Sequence, residues 1–264
     1  MTGPVVQDLG SLAGDVVLFG GPYSNLQALE ALADEVAGRA ALCTGDVVAY
    51  CGDPAATVAR MRALGWPVVA GNCERQLAAG AMDCGCGFDD GTACDLLSRG
   101  WYAHADAEVD DEARHWMDGL PDIITFTAHG KRYAAIHGGV TAINRFLWPV
   151  SPTAEFDEEI ATLTDLVGPV DGIIAGHSGI PFVKDIAPVT WINAGAIGLP
   201  PHDGKPQTRY TVLGADGVTI RTLDYDVMGA VAAMERAGLT QGYHRALTTG
   251  IWPSEDILPM ELRR

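Results

Sequence analysis

Basic residues are scarce in this chain of 264 residues. It has 17 lysines and arginines against 34 aspartates and glutamates, which gives a formal net charge of -17 at pH 7. A surface this acidic repels phosphate backbones and anionic lipids, so non-specific nucleic-acid binding and membrane binding are both disfavoured. Any anionic ligand is therefore expected to bind at a local cationic or metal-bearing site.

Long apolar runs are also missing. No segment reaches the roughly 20 apolar residues that a bilayer-spanning helix needs, although 48% of the residues are hydrophobic and can form a sizeable core. The first residues, Met1-Thr2-Gly3-Pro4, contain no basic stretch followed by an apolar one, so a secretion signal is not expected. These features predict a cytoplasmic protein.

Cysteine is absent after residue 94, and all the cysteines lie in the first part of the chain. They are Cys43, Cys51, Cys73, Cys84, Cys86 and Cys94. In a cytoplasmic chain we expect free thiols, metal ligands or reactive groups rather than disulfides. The Cys84-Gly85-Cys86 spacing lacks the second pair of a zinc site, which favours a loop of buried thiols. The alternative is that Cys73 and one of these cysteines are soft metal ligands.

The first half of the chain alternates apolar strands with helical patterns. Strands are expected at 15–19, 40–43 and 67–70, separated by a helix that has Ser24 as its N-cap and runs to about Arg39, and by another from Pro54 to a stop at Gly65. This spacing implies right-handed crossovers and a mostly parallel sheet.

Residues from about 77 to 106, rich in Gly, Asp and Cys, break this alternation and are predicted to form an irregular insertion. The elements expected after it are helices over 108–119, 155–167 and 226–237, a β-hairpin over 123–136, and strands at 172–175, 189–193, 209–214 and 218–223. Residues from about 225 to 264 are expected to form a helical extension that folds back over the body. We find no linker and no internal repeat, so a single domain over 1–264 is predicted.

Five apolar runs end at glycine next to polar residues of the kinds that bind ligands. These segments are Phe19-Gly20-Gly21-Pro22-Tyr23, Thr44-Gly45-Asp46, Gly71-Asn72-Cys73-Glu74, His137-Gly138-Gly139 and Gly176-His177-Ser178-Gly179. Ligands of open α/β sheets bind at the carboxyl ends of strands, so we expect Asp46, Asn72, His137 and His177 to converge. A lone buried histidine is more often a hydrogen-bonded core residue, but the ordered set favours a metal site. One carboxylate, one amide oxygen and two imidazoles suit a divalent transition metal such as Mn, Fe, Zn or Ni.

Together these segments resemble the calcineurin-like metallophosphoesterases, whose motifs read Asp-x-His, Gly-Asp, Gly-Asn-His-Asp/Glu, His and Gly-His-x-His. The resemblance covers about residues 15–224 and is to the small bacterial branch of the family. It implies an α/β fold, a four-layer αββα sandwich with two mixed β-sheets flanked by helices. It also implies that Asp46, Asn72, His137 and His177 hold one metal of a pair that polarises a phosphate ester and activates water.

The departures from these motifs fall on the other metal of the pair. Gly21 and Tyr23 stand where the family has its Asp-x-His ligands, and Gly179 stands where it has the last His of Gly-His-x-His. The resemblance therefore implies one divalent metal per chain, and a second metal is not expected in its usual form. Cys73 replaces the family's histidine that assists the leaving group, so Cys73 and Tyr23 are the candidate auxiliary catalytic groups.

Two functions are compatible with this pattern. The first is metal-dependent hydrolysis of a phosphomonoester or phosphodiester by activated water at a mononuclear site, with Cys73 or Tyr23 donating a proton or orienting the phosphate. The second is a catalytically weak or inactive descendant that binds a metal or a phosphorylated ligand and acts as a regulatory protein. Either function predicts a phosphorylated small molecule as the partner. Retention of four ligands favours the enzyme, whereas loss of the others favours the regulatory protein.

Overall fold

A computed structural model describes residues 3–264. The first two residues, which belong to the segment in which no secretion signal is expected, lie outside the described residues. Between Gly3 and Arg264, no helix is long and apolar enough to cross a membrane. The strands are β1 (Val6–Ser11), β2 (Val16–Phe19), β3 (Ala40–Cys43), β4 (Ile123–Ala128), β5 (Lys131–Ala135), β6 (Gly172–Ala175), β7 (Phe182–Ile186), β8 (Val189–Asn193), β9 (Thr208–Gly214) and β10 (Gly217–Leu223). The helices are α1 (Leu26–Val36), α2 (Pro54–Leu64), α3 (Asn72–Ala79), α4 (Ala93–Glu108), α5 (Asp111–Asp118), α6 (Thr153–Val167), α7 (Val227–Arg236) and α8 (Tyr243–Thr249).

The strands form two sheets. The larger has the order β1-β4-β5-β6-β8-β7, and the smaller has the order β10-β9-β2-β3. Both sheets are mixed, because β5, β6 and β8 run parallel while β4–β5 and β7–β8 are antiparallel, and β2 is parallel to β3 but antiparallel to β9. The prediction of two mixed sheets is confirmed.

Alternation of side chains along the strands builds four layers, since successive residues of a strand point to opposite faces. Leu18 packs between the sheets in one cluster with Phe126 of the larger sheet. The next residue, Phe19, belongs to a second cluster with the buried side of α1 and α7. On the outer face of the larger sheet, Trp191 packs against Phe156 of α6 with ring centroids 5.2 Å apart. Helices therefore cover both outer faces, as predicted.

The first helix begins one residue later than predicted. Its N-cap is Asn25, whose Oδ1 accepts a hydrogen bond from the Ala28 N–H at 3.0 Å. Ser24 instead has a left-handed backbone, with φ of 58°, and its Oγ accepts from the Ala49 N–H at 3.2 Å. Serine and asparagine are both common N-cap residues. Because the Ser24 hydroxyl is engaged by Ala49, Asn25 takes the N-cap position. The helix also ends at Val36, short of the predicted end.

Two further predictions about local structure are wrong. Residues 67–70 do not form a strand, because only Val68 makes a bridge, to Cys43, and the Ala70 N–H donates to the Pro121 carbonyl. The insertion at 77–106 is irregular only over about 80–92, since the end of α3 occupies 77–79 and α4 begins at Ala93. The buried face of that helix has helical spacing and consists of Cys94, Ser98, Trp101, Tyr102 and Ala105. The short edge strands β1 and β7 were not predicted.

The expectation of free thiols fails at one pair of cysteines. Cys84 and Cys86 form a disulfide with their Cα atoms 5.3 Å apart. Gly85 between them has a φ of 62°, a left-handed conformation that glycine adopts without strain and that lets the chain turn this tightly. Cys43, Cys51, Cys73 and Cys94 are free and buried, as expected.

A buried carboxylate joins the loop after β3 to the start of α3. Glu74 Oε1 accepts from the Val47 N–H at 2.8 Å, and Oε2 accepts from the N–H groups of Asp46 and Gly71, each at 2.8 Å. Its side chain is fully buried, and it lies in the first helical turn, where a negative charge is favoured. Glu74 thus holds the backbone of Asp46 at a fixed position relative to Asn72, the residue that follows Gly71.

We expect Glu74→Gln to lower the free energy of unfolding by about 1–3 kcal/mol, because an amide NH2 group would face a buried backbone N–H in place of an acceptor. Glu74→Ala leaves three buried donors unpaired and should cost more. Chemical denaturation followed by circular dichroism measures both losses. The matched control is Glu235→Gln, at an exposed position of α7, whose replacement should change stability by less than about 0.5 kcal/mol. An equal loss in Glu74→Gln and the control would contradict this role for Glu74.

Candidate metal centre

Four polar side chains from four separate segments meet at one point. His137 Nε2 lies 2.9 Å from Asn72 Oδ1, 3.1 Å from His177 Nδ1 and 3.3 Å from Asp46 Oδ2. Candidate ligand atoms of Asp46, His137 and His177 all lie within 4.8 Å of one another. His137 follows β5, His177 follows β6 and Asp46 follows β3, so the four residues meet where strands of both sheets end. The sequence-predicted set is thus brought together by the fold.

The ring orientation of His137 is set by a backbone carbonyl. Its Nδ1 lies 2.6 Å from the Thr44 carbonyl oxygen. Because a carbonyl oxygen only accepts, Nδ1 carries the hydrogen and donates it. The other nitrogen, Nε2, then has a free lone pair directed at the meeting point, which is the arrangement that metal-ligating histidines adopt.

Asn72 is oriented by the loop that carries the disulfide. Its Nδ2 donates to the Cys84 carbonyl at 2.8 Å and lies 3.4 Å from Cys86 Sγ. The amide oxygen is thereby turned toward His137. The sulfur atoms of Cys84 and Cys86 are bonded to each other, and Cys86 Sγ lies on the donor side of the amide. This arrangement gives no support to the alternative in which Cys73 and one of these cysteines ligate a metal.

The donor set fits a divalent cation. Asn72 Oδ1, His137 Nε2, His177 Nδ1 and Asp46 Oδ2 surround one point, and Thr44 and Cys84 take up hydrogens of His137 and Asn72 on the outside. Inward lone pairs at a buried site repel one another unless a cation compensates them. Two imidazole nitrogens with a carboxylate and an amide oxygen are ligands that Mn, Fe, Zn and Ni accept.

The electrostatics of the site keep His177 neutral. Burial, and then the neighbouring His137, lower the pKa of His177 to about 3. Burial opposes protonation of His137 as well, but Asp46 outweighs it and raises the pKa of His137 above its ordinary value. Burial also opposes ionisation of Asp46, yet His137 lowers the pKa of that carboxyl overall. When no cation is bound, a proton on His137 balances the negative charge of Asp46. A metal ion and this proton therefore compete for the same position.

Three residues of the site have strained backbones. The φ angles are 52° at Tyr23, 55° at Asp46 and 59° at His177. Residues other than glycine rarely adopt this left-handed region, and they do so mainly where the surrounding structure enforces it at functional sites. The loops are therefore shaped to direct these side chains inward.

The Tyr23 ring lies between Gly21 and Gly179, two of the positions at which the sequence departs from the family motifs. A Cβ atom added to Gly21 would lie 2.2–2.6 Å from atoms of the Tyr23 ring, and one added to Gly179 would lie 3.5 Å from the Tyr23 hydroxyl. The ring therefore occupies the space between these two glycines. Burial, and then Asp46, raise the pKa of Tyr23 well above its ordinary value, so the phenol keeps its proton.

The Cys73 side chain lies beside the Asn72 amide nitrogen, on the side away from the point where the four ligand atoms meet. Its backbone N–H donates to Asp46 Oδ1 at 3.3 Å, and its Sγ lies 3.6 Å from Asn72 Nδ2. Burial, followed by the charges of Asp46 and Glu74, raises the pKa of this thiol well above its ordinary value. Cys73 is thus a neutral, buried thiol and not an activated nucleophile.

Two important neighbours of the site were not predicted. Glu74 stands at the last position of the Gly-Asn-x-Asp/Glu pattern, which was a signal that could have identified it. Phe146 packs on His177 with ring centroids 4.2 Å apart, and no local pattern distinguishes it from an ordinary loop aromatic.

Comparison with solved structures shows where this fold occurs. A metallophosphoesterase from Sphaerobacter thermophilus is similar, with a TM-score of 0.66 and 22% identity over 90% of this chain and all of that one. A hypothetical protein from Pyrococcus horikoshii OT3 has a TM-score of 0.72 and 14% identity, covering 90% of this chain and 99% of its own. At such identities the likeness shows the fold alone. No curated protein sequence matches the chain.

The family is shown by the sequence itself. The family model described as the calcineurin-like phosphoesterase superfamily domain matches residues 23–216, which is most of the chain. The matched region contains Asp46, Asn72, His137 and His177, the residues that meet in the structure. This chain therefore belongs to the calcineurin-like phosphoesterase superfamily.

Proposed function

We propose that this protein hydrolyses phosphate esters with one divalent transition metal held by Asp46, Asn72, His137 and His177. The observation that supports this most is that ligand atoms of the four residues surround one point, with hydrogens of His137 and Asn72 held outside by carbonyl oxygens. A divalent metal bound there supplies Lewis acidity, which polarises a phosphoryl oxygen and lowers the pKa of water.

The residues of the chain then have separate roles. Asp46 supplies the negative ligand, and its position depends on Glu74. Tyr23 lines the cavity next to Asp46 and His177 and keeps its phenolic proton, so it is placed to donate a hydrogen bond that orients the phosphate. Cys73 is not among the residues that line this cavity, which supports Tyr23 over Cys73 as the auxiliary group.

A single metal follows from the space around Tyr23. Gly21 and Gly179 have no side-chain ligand, and the Tyr23 ring lies where a side chain on Gly21 would have to pass. A neutral phenol is a poor metal ligand. With one metal, part of the charge stabilisation of a metal pair is lost, so we infer slower chemistry than at a dinuclear site.

The second candidate is a regulatory protein that binds a metal or a phosphorylated ligand without turnover. The replacement of the family's leaving-group histidine by Cys73, a buried neutral thiol, favours it. Metal content and hydrolysis measured on the same sample separate the two candidates.

We expect protein loaded with Mn to contain at most one metal per chain and to hydrolyse aryl phosphate esters. His177→Ala should lose both the metal and the activity, because a site of four ligands has little redundancy. Elemental analysis by mass spectrometry and release of p-nitrophenol measure the two properties. His115→Ala, on the exposed side of α5, is the matched control and should change neither.

Two tightly bound metals in the unmodified protein would refute the mononuclear site. One metal with no hydrolysis of either a monoester or a diester would favour the regulatory protein.

Restoring the missing ligands should restore a second metal. We expect the combined change Gly21→Asp, Tyr23→His and Gly179→His to raise metal content toward two per chain and to increase hydrolysis. Gly21→Asp alone should instead destabilise the protein, because its Cβ would collide with the Tyr23 ring. Elemental analysis and thermal unfolding test the pair of variants. A stable Gly21→Asp protein would show that Tyr23 does not fill this space.

A further inference from the structure

A cavity opens beside the candidate metal centre, and its walls are aromatic. Asp46 and His177 lie on one side of it. The aromatic residues that line the rest are Tyr23, Tyr50, Phe88, Phe146, Tyr243 and Trp252. The free space within it is about 30 Å³, and the cavity is partly open to solvent. It is therefore a narrow slot between rings.

Part of this wall comes from segments that carry none of the candidate metal ligands. Phe88 lies in the irregular stretch with the disulfide, and Tyr243 and Trp252 lie beyond residue 216, where the match to the family ends. These wall residues are thus placed to select substrates without taking part in the chemistry.

Contacts within the protein hold two residues of the slot wall in place. The Trp252 backbone N–H donates to His202 Nδ1 at 2.9 Å, and its ring Nε1–H donates to the Pro200 carbonyl at 2.7 Å. His202 Nε2 in turn lies 2.7 Å from Glu255 Oε1. Phe88 is half-buried and stacks on Phe146, with ring centroids 6.3 Å apart. Both rings are therefore positioned before a ligand binds.

The charge of the slot favours a singly charged substrate. Among the described residues, none that lines it is a lysine or an arginine. A divalent metal together with the Asp46 carboxylate has a net charge of +1. That charge matches a phosphodiester monoanion, whereas one of the two charges of a phosphomonoester dianion would remain uncompensated beside apolar rings.

We propose that the preferred substrate is a phosphodiester whose retained ester group, the one that does not leave, is a flat aromatic ring. This ring occupies the slot lined by Trp252 and Phe88 while the phosphate faces Asp46 and His177. The inference rests on the proposed function of the metal centre. Flat rings favour stacking on aromatic side chains, and a flat group is the shape that a narrow slot admits. Trp252 and Phe88 are accordingly specificity-determining residues.

Three esters with the same leaving group test this with the Mn-loaded protein. They are p-nitrophenyl phosphate, methyl p-nitrophenyl phosphate and phenyl p-nitrophenyl phosphate. We expect kcat/KM to be highest for the phenyl diester, about tenfold above the methyl diester if stacking contributes its usual amount, and lowest for the monoester. A monoester preference, or equal values for the two diesters, would overturn the inference and leave the phosphoesterase function standing.

Variants of Phe88 test whether this residue causes the preference for the phenyl diester. Phe88→Leu keeps an apolar wall but removes the ring, and should bring the phenyl and methyl diesters close to equal rates. Phe88→Lys adds a cation and should raise the monoester rate relative to both diesters. Met228→Leu, at a residue that is 66% exposed, is the control and should preserve the order of the three esters. If neither Phe88 variant alters that order, the proposed role of the wall is wrong.

Binding measurements test the inferred substrate preference independently of the proposed hydrolysis. Calorimetry with diphenyl phosphate and dimethyl phosphate should show tighter binding of the diphenyl ester to the Mn-loaded protein. If no ester is hydrolysed but this preference is present, the hydrolytic function fails and the selectivity stands. If no ester is hydrolysed and the two bind equally, both fail.

Discussion

The carboxylate of Glu74 is the contact on which the geometry of the candidate metal centre depends. It binds three backbone N–H groups, of Asp46, Val47 and Gly71, at 2.8 Å each. Burial, and then repulsion from Asp46, raise its pKa to about 7. Burial of the Glu74 carboxylate costs free energy. The three backbone N–H donors offset part of this cost because they stabilise the ionised form. The result is that Asp46 has a strained φ of 55° while its side chain remains directed at His137.

An aromatic ring occupies the space beside the four converging side chains. Tyr23 lies between Gly21 and Gly179, and an added Cβ at Gly21 would collide with its ring. An aspartate at Gly21 is therefore incompatible with the present position of Tyr23. The same ring is the first wall of an aromatic slot that continues through Tyr50 and Tyr243.

Most of the layered architecture could be predicted from the sequence because strand signals are local. The run Val16–Phe19 is apolar on both faces, as a strand buried between two layers requires. The hairpin at His129-Gly130 and the helix stop at Gly65 also follow from turn and capping preferences. Two predictions are wrong for different reasons. At Ser24 and Asn25, two adjacent residues are both good N-caps. At α4, the high content of Gly, Asp and Cys in the preceding stretch predicted an irregular segment instead of a helix. The Cys84–Cys86 disulfide was not predicted because the cytoplasmic expectation outweighed its spacing.

The sequence by itself determined which residues have ligand chemistry and which were replaced by glycine, because a side chain's donor atoms belong to its residue type. Only the tertiary structure decided how those atoms are directed. The tautomer of His137 depends on the Thr44 carbonyl, and the orientation of the Asn72 amide depends on the Cys84 carbonyl, contacts between residues 93 and 12 positions apart along the chain. The wall formed by Phe88 and Trp252 also exists only in the folded chain. Such pairings depend on how loops approach one another in space, and no local pattern of residues encodes that approach.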